Sequence, residues 1–146
     1  MKIVNRRARY DYHIYDIWEA GIQLLGAEVK SVKQSRAKLD AGHVRILAGE
    51  AFLINASIPL YEYANIPDYK PTRTRKLLLH KNQLISLETK LASGNFTLVP
   101  LSLYTNKRGV IKLEIGLAKS KQTRDKRREI RKKDLDREVE RDLRDK

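Results

Sequence analysis

At 146 residues with 41% hydrophobic side chains, the chain is long enough for one domain with a proper core, and its formal net charge of +13 points to a phosphate-rich partner. The absence of Cys excludes disulfides and thiolate chemistry. The charged N-terminus has no apolar run behind it and no stretch approaches the ~18 residues of a membrane helix, so a soluble, cytoplasmic chain without membrane contact is expected.

In chain order, Asn5-Arg6-Arg7-Ala8-Arg9 is a basic group at the chain end, where disorder is usual. From Tyr10 the pattern alternates, with Tyr10, Tyr12 and Ile14 on one face, and continues through Trp18 to Ile22 and Leu24. This predicts one long or bent strand, in which Ala20-Gly21 marks a bulge or a close backbone approach. Residues 27–33 lose the two-residue period and read as a short helix. Residues 44–47 and 51–54 flank Ala48-Gly49-Glu50, the spacing of a tight hairpin. An irregular loop over 64–74, stiffened by Pro67 and Pro71, leads to a helix starting near Leu77, with Leu77, Leu84, Leu87 and Leu91 on one face. Residues 96–104 form a strand interrupted at Pro100, Asn106-Lys107-Arg108-Gly109 turns it back, and 110–117 alternate with Ile111, Leu113, Ile115 and Leu117 inward.

The sum is an all-β fold with inserted helices, best satisfied by a six-stranded barrel of the oligonucleotide-binding type over residues 1–118, with a two-sheet sandwich as the alternative. Residues 119–146 form a separate basic tail with 13 Lys or Arg against 8 Asp or Glu. Only Ile130, Leu135, Val139 and Leu143 are aliphatic there, too thin a stripe for a core. Such a tail is expected to fray alone and to become helical against a polyanion.

Catalysis has no visible candidate. His13, His43 and His80 have no second ligand at metal spacing, the acids of the body lack the pairing of two-metal sites, and no Gly-rich phosphate loop exists, so no cofactor is expected. Binding features are clearer: Lys70, Arg73, Arg75 and Lys76 cluster within a few residues, and Tyr61, Tyr63 and Tyr69 nearby could stack on unpaired bases. A general RNA-binding protein, a ribosomal protein or an RNA-processing enzyme would all carry such features.

Four separated segments narrow the choice. Asn5-Arg6-Arg7-Ala8-Arg9, Glu19-Ala20-Gly21-Ile22 with Leu25-Gly26-Ala27-Glu28-Val29-Lys30-Ser31, Arg73-Thr74-Arg75-Lys76-Leu77-Leu78-Leu79-His80, and Ala118-Lys119 followed by Asp125-Lys126-Arg127 together resemble the SsrA-binding proteins, the small protein B family. The resemblance implies a non-enzymatic adaptor that holds the tRNA-like domain of transfer-messenger RNA (tmRNA, or SsrA RNA) during bacterial ribosome rescue by trans-translation. It implies RNA contacts at Asn5, Arg6, Arg7, Glu19, Arg73, Arg75, Lys76, Leu78, His80, Lys112 and Lys119. It further implies a tail that enters the vacant messenger path of the small subunit and folds there as a helix. Its contacts with ribosomal RNA would run through Lys121, Arg124, Asp125, Lys126, Arg127, Arg128, Ile130, Arg131, Lys132 and Lys133. Elongation factor Tu and alanyl-tRNA synthetase are implied as partners through the shared RNA, and the protein is expected as a monomer. Family members usually carry Gly where Ser120 stands and Tyr or His where Arg124 stands.

Overall fold

The computed structural model describes residues 1–121 together with Arg127, Arg131 and Arg137. Its elements are β1 (Lys2–Val4), α1 (Arg6–Asp11), β2 (Tyr12–Ile22), α2 (Gly26–Lys33), β3 (His43–Leu47), β4 (Glu50–Ile54), β5 (Arg75–Leu78), α3 (Lys81–Ala92), β6 (Thr97–Thr105) and β7 (Ile111–Ser120). All strand pairs are antiparallel. The order β6-β3-β4-β5-β2-β7 closes on itself through the β6–β7 pair, giving the expected six-stranded barrel, and β1 adds to the outside of β6. The ring is unevenly sewn: β2 and β7 share a long ladder, whereas β3 meets β6 only at Val44 and Leu98. Among the described residues, no helix is long and apolar enough to cross a membrane.

Alternation works where both neighbours are long. In β7, Ile111, Leu113, Ile115 and Leu117 are buried in the main core with Leu53, Leu98 and Leu103. Two register shifts then move side chains between faces. The one in β2 lies between Ile14 and Asp16, not at Ala20-Gly21, so Tyr12 and Ile14 face outward while Trp18, Ala20 and Ile22 face the core. The one in β6 lies at Pro100–Ser102, the irregularity expected of a proline that cannot donate to the ladder. The outward set, Val99, Leu101 and Ala118 with Tyr12 and Ile14, is not left in water, because α1 covers it with Ala8.

That covering explains the first correction. The basic N-terminal group is ordered: Asn5 is buried, its carboxamide donates to the Pro100 carbonyl at 2.8 Å, and its Oδ1 accepts from the Ala8 N–H at 3.2 Å as the cap of α1. Tyr10 and Asp11 therefore end α1 instead of opening the long strand. The second correction concerns Leu77 and Leu78, which lie in β5 between β4 and β2, so α3 begins only at Lys81. The hairpin turn is tighter than its sequence spacing suggested: Ala48 and Gly49 alone form the loop, both at positive φ, and Glu50 already pairs with Leu47. At the other end, β7 runs on to Ser120, which pairs with Tyr12 as an ordinary strand residue.

Candidate nucleic-acid interface

β5 decides which basic residues can reach a ligand. Its two-residue period sends Arg75 and Leu77 inward and Lys76 and Leu78 outward, splitting the cluster that the sequence placed on one loop. Arg75 is wholly buried. Its guanidinium donates to Glu28 Oε2 from Nε at 2.8 Å, to the carbonyls of Ala56 and Arg73 from Nη1, and to the Pro71 carbonyl and Tyr69 hydroxyl from Nη2. Its donors are all engaged inside the protein. Arg73 turns to the same carboxylate, donating to both Glu28 oxygens. Leu25 N–H and the Tyr69 hydroxyl complete the shell around Glu28. Burial alone would raise the Glu28 pKa, but Arg73, the Leu25 N–H and Arg75 outweigh it and hold the carboxyl at about 2. The expected RNA contacts at Arg73 and Arg75 thus become an internal clamp that fixes the segment between β4 and β5. Arg73 keeps some exposure, whereas Arg75 keeps none.

The remaining candidates gather on the outer wall of the barrel. Register places Leu78 of β5, Gly21 of β2, Lys112 of β7 and Tyr104 of β6 in one row. Glu19 and Glu114 form the next row. Gly21 gives Leu78 room there: a Cβ would stand 3.1 Å from Leu78 Cβ and make the half-exposed leucine shift by a few tenths of an ångström. The Tyr104 hydroxyl donates to Glu19 Oε2, which fixes the carboxylate that the family resemblance implied. Burial and then the Glu19 carboxylate push the Tyr104 pKa well above the usual phenol value, so it remains a donor. Lys76 borders the row and reaches Glu50 at 3.1 Å, and His80 follows β5 as the exposed residue preceding α3. From the opposite side Arg9 of α1 approaches Glu114 at 3.9 Å; Arg6 and Arg7 are exposed on the same helix, Arg7 paired with Asp11.

Three predicted contacts fall elsewhere. Asn5 is spent on capping α1. Lys119 has the inward parity at the far end of β7, with Nζ 4.6 Å from the Phe96 ring centroid and 5.6 Å from that of Tyr15. Lys121 belongs to the body: its N–H donates to the Asp11 carbonyl at 2.8 Å and its Nζ to the Arg9 carbonyl at 3.2 Å. Arg127 and Arg131 are exposed, helical positions. The expected tail contacts Arg124, Asp125, Lys126, Arg128, Ile130, Lys132 and Lys133 lie outside the described residues. Sequence reasoning passed over Tyr104 and Glu114, although the short turn between β6 and β7 already sets Tyr104 opposite Lys112; the close approach expected at Ala20-Gly21 is the one Leu78 makes on Gly21. Among the described residues, no group of three His, Cys, Asp or Glu is placed to hold a metal.

Comparison with known proteins agrees with this fold. The SsrA-binding protein of Enterococcus hirae is 50% identical over 139 residues, covering 95% of this chain and 90% of the relative. Those of Corynebacterium glutamicum and Chlorobaculum tepidum are 49% and 44% identical, covering 95% and 94% of this chain and 84% and 88% of theirs. A solved structure described as "tmRNA-SmpB: a journey to the center of the bacterial ribosome" superposes with a TM-score of 0.69 at 43% identity, covering 84% of this chain and 85% of its own. The model of the SmpB protein family matches residues 2–145, and the chain belongs to that family.

Proposed function

We propose that the wall formed by Leu78, Gly21, Lys112, Tyr104 and Glu19, with α1 at its edge, holds the tRNA-like domain of tmRNA and delivers it to stalled ribosomes for trans-translation. The observation that carries this reading is the pair of adjacent rows on the wall. An ammonium, an aliphatic side chain over a glycine, and a carboxylate held by a phenol stand side by side on a rigid sheet, in a chain related to SsrA-binding proteins. Lys112, Lys76 and α1 supply charge for the RNA backbone, Leu78 packs on a base or ribose, and Glu19 accepts from a base amino group or a ribose hydroxyl. The protein acts in this reading as a cytoplasmic, monomeric adaptor and not as an enzyme. Elongation factor Tu and alanyl-tRNA synthetase are reached through the shared RNA, and residues beyond Lys121 contact the small subunit in the empty messenger path.

Affinity measured against salt concentration tests the wall. Lys112→Ala should weaken binding to the tRNA-like RNA and lower the log–log salt slope by roughly 0.9 or less. Unchanged affinity and slope would remove Lys112 from the interface. Tyr104→Phe keeps the ring and frees Glu19, and should weaken the same RNA about three- to tenfold with the slope unchanged. Equal loss of slope in both variants would show that the hydroxyl acts only through the fold.

A further inference from the structure

Tyr61 and Tyr63 lie in the segment between β4 and β5, and their rings meet edge to face at 5.4 Å with an interplanar angle of 69°. Lys30 of α2 places Nζ 5.1 Å from the Tyr61 ring centroid. Tyr63 is 80% exposed. This exposure does not come from a loose loop. Ile58, just upstream, is fully buried, and its N–H donates to the Pro71 carbonyl at 3.0 Å. The Ala64 N–H closes a turn on the Tyr61 carbonyl at 2.9 Å, and downstream Tyr69 and Arg73 are tied to Glu28. The segment is pinned on both sides of the two rings.

A ring in water loses the burial that would normally be its main contribution. Here it is also oriented: the Tyr61 contact fixes its plane, and Lys30 braces Tyr61. Lys30 sets an ammonium beside the ring pair; Lys33 on α2 and Lys70 on the segment are further exposed cations, as Glu62 and Asp68 are exposed acids. An aromatic face bordered by an ammonium group matches a nucleobase with its phosphate, since every base offers a π-face and every linkage a negative charge.

We infer that Tyr63, buttressed by Tyr61 and Lys30, is a stacking platform for an unpaired base of single-stranded RNA, distinct from the wall that holds the folded RNA. It shares RNA as the partner with the function proposed above but uses none of the same residues. The test uses the full chain, a fluorescent hexauridine or hexaadenosine at low salt, and the tRNA-like RNA in parallel. Tyr63→Ala should weaken oligonucleotide binding about tenfold. Tyr63→Phe, which keeps the ring, should bind as the parent does. Lys112→Ala should leave the oligonucleotide unaffected while weakening the folded RNA. The inference is overturned if Tyr63→Ala binds the oligonucleotide normally, or if Phe loses as much as Ala. It also falls if the parent binds the folded RNA but neither oligonucleotide, the result expected of a ring that faces a protein; the wall would then still stand.

Discussion

Glu28→Gln should destabilise the protein by about 3–5 kcal/mol and lower its melting temperature by roughly 10 °C or more, although Glu28 touches no partner outside the chain. Glu28 is fully buried and neutralises Arg75, also fully buried, while Arg73 closes over both. Removing the carboxylate leaves a guanidinium in the interior without a counter-charge, and that loss exceeds the modest net gain of the pair itself. A double variant, Glu28→Gln with Arg75→Met, should therefore be less damaged than the sum of the single ones, which a double-mutant cycle in urea would read. Acidity offers an independent check. The folded pKa of about 2 lies below the ordinary 4.5, so the contribution is complete above about pH 4.5 and is lost as pH falls toward 2. The gap corresponds to roughly 3 kcal/mol. The parent should lose that much more stability than Glu28→Gln between pH 5 and 2; parallel curves would refute the assignment. By the same logic Arg75→Ala should reduce RNA binding only to the extent that it unfolds the barrel.

A chain ending at Lys121 should melt as the full chain does and bind the tRNA-like RNA within about twofold, yet fail completely to tag nascent peptides on ribosomes with an empty messenger path. The cut must follow Lys121. Ending at Ala118 removes the pairs of Lys119 with His13 and Ser120 with Tyr12, together with both hydrogen bonds from Lys121 to α1. At roughly 1 kcal/mol for each bond, that shorter chain should be measurably less stable and confuse loss of fold with loss of tail. Full tagging by the chain ending at Lys121 would take the tail out of the mechanism.

The residues that could be read in advance were those whose structure is settled by their neighbours in sequence. β7 and the β3–β4 hairpin fall into this class, because alternation and a glycine-bearing turn are local signals, although the turn proved one residue shorter than its spacing suggested. The segment 77–79 was not, since three successive leucines fit either period, and β4 and β2 on its two sides decide the matter. Arg75 could not be placed because its partner Glu28 is 47 residues away, and without that carboxylate an arginine reads as surface. α1 escaped for a similar reason: six residues hold as a helix because Asn5 reaches Pro100 and Ala8 covers Leu101. Of the candidate site, the resemblance located Glu19, Leu78 and Lys112, but only the register showed that Leu78 and Lys112 share a row with Tyr104 and that Glu19 stands in the next one.

The longest seam joins the second strand to the last one, with Tyr12 opposite Ser120 and Gly21 opposite Lys112. During synthesis at roughly 5–20 residues per second, the early strand must wait on the order of 5–20 s for its mate to be translated. Until then its basic flank and unpaired edge are exposed beside the very machine that makes them. Newborn copies are therefore the most vulnerable to aggregation and proteases, and the barrel completes itself only once β7 has been made.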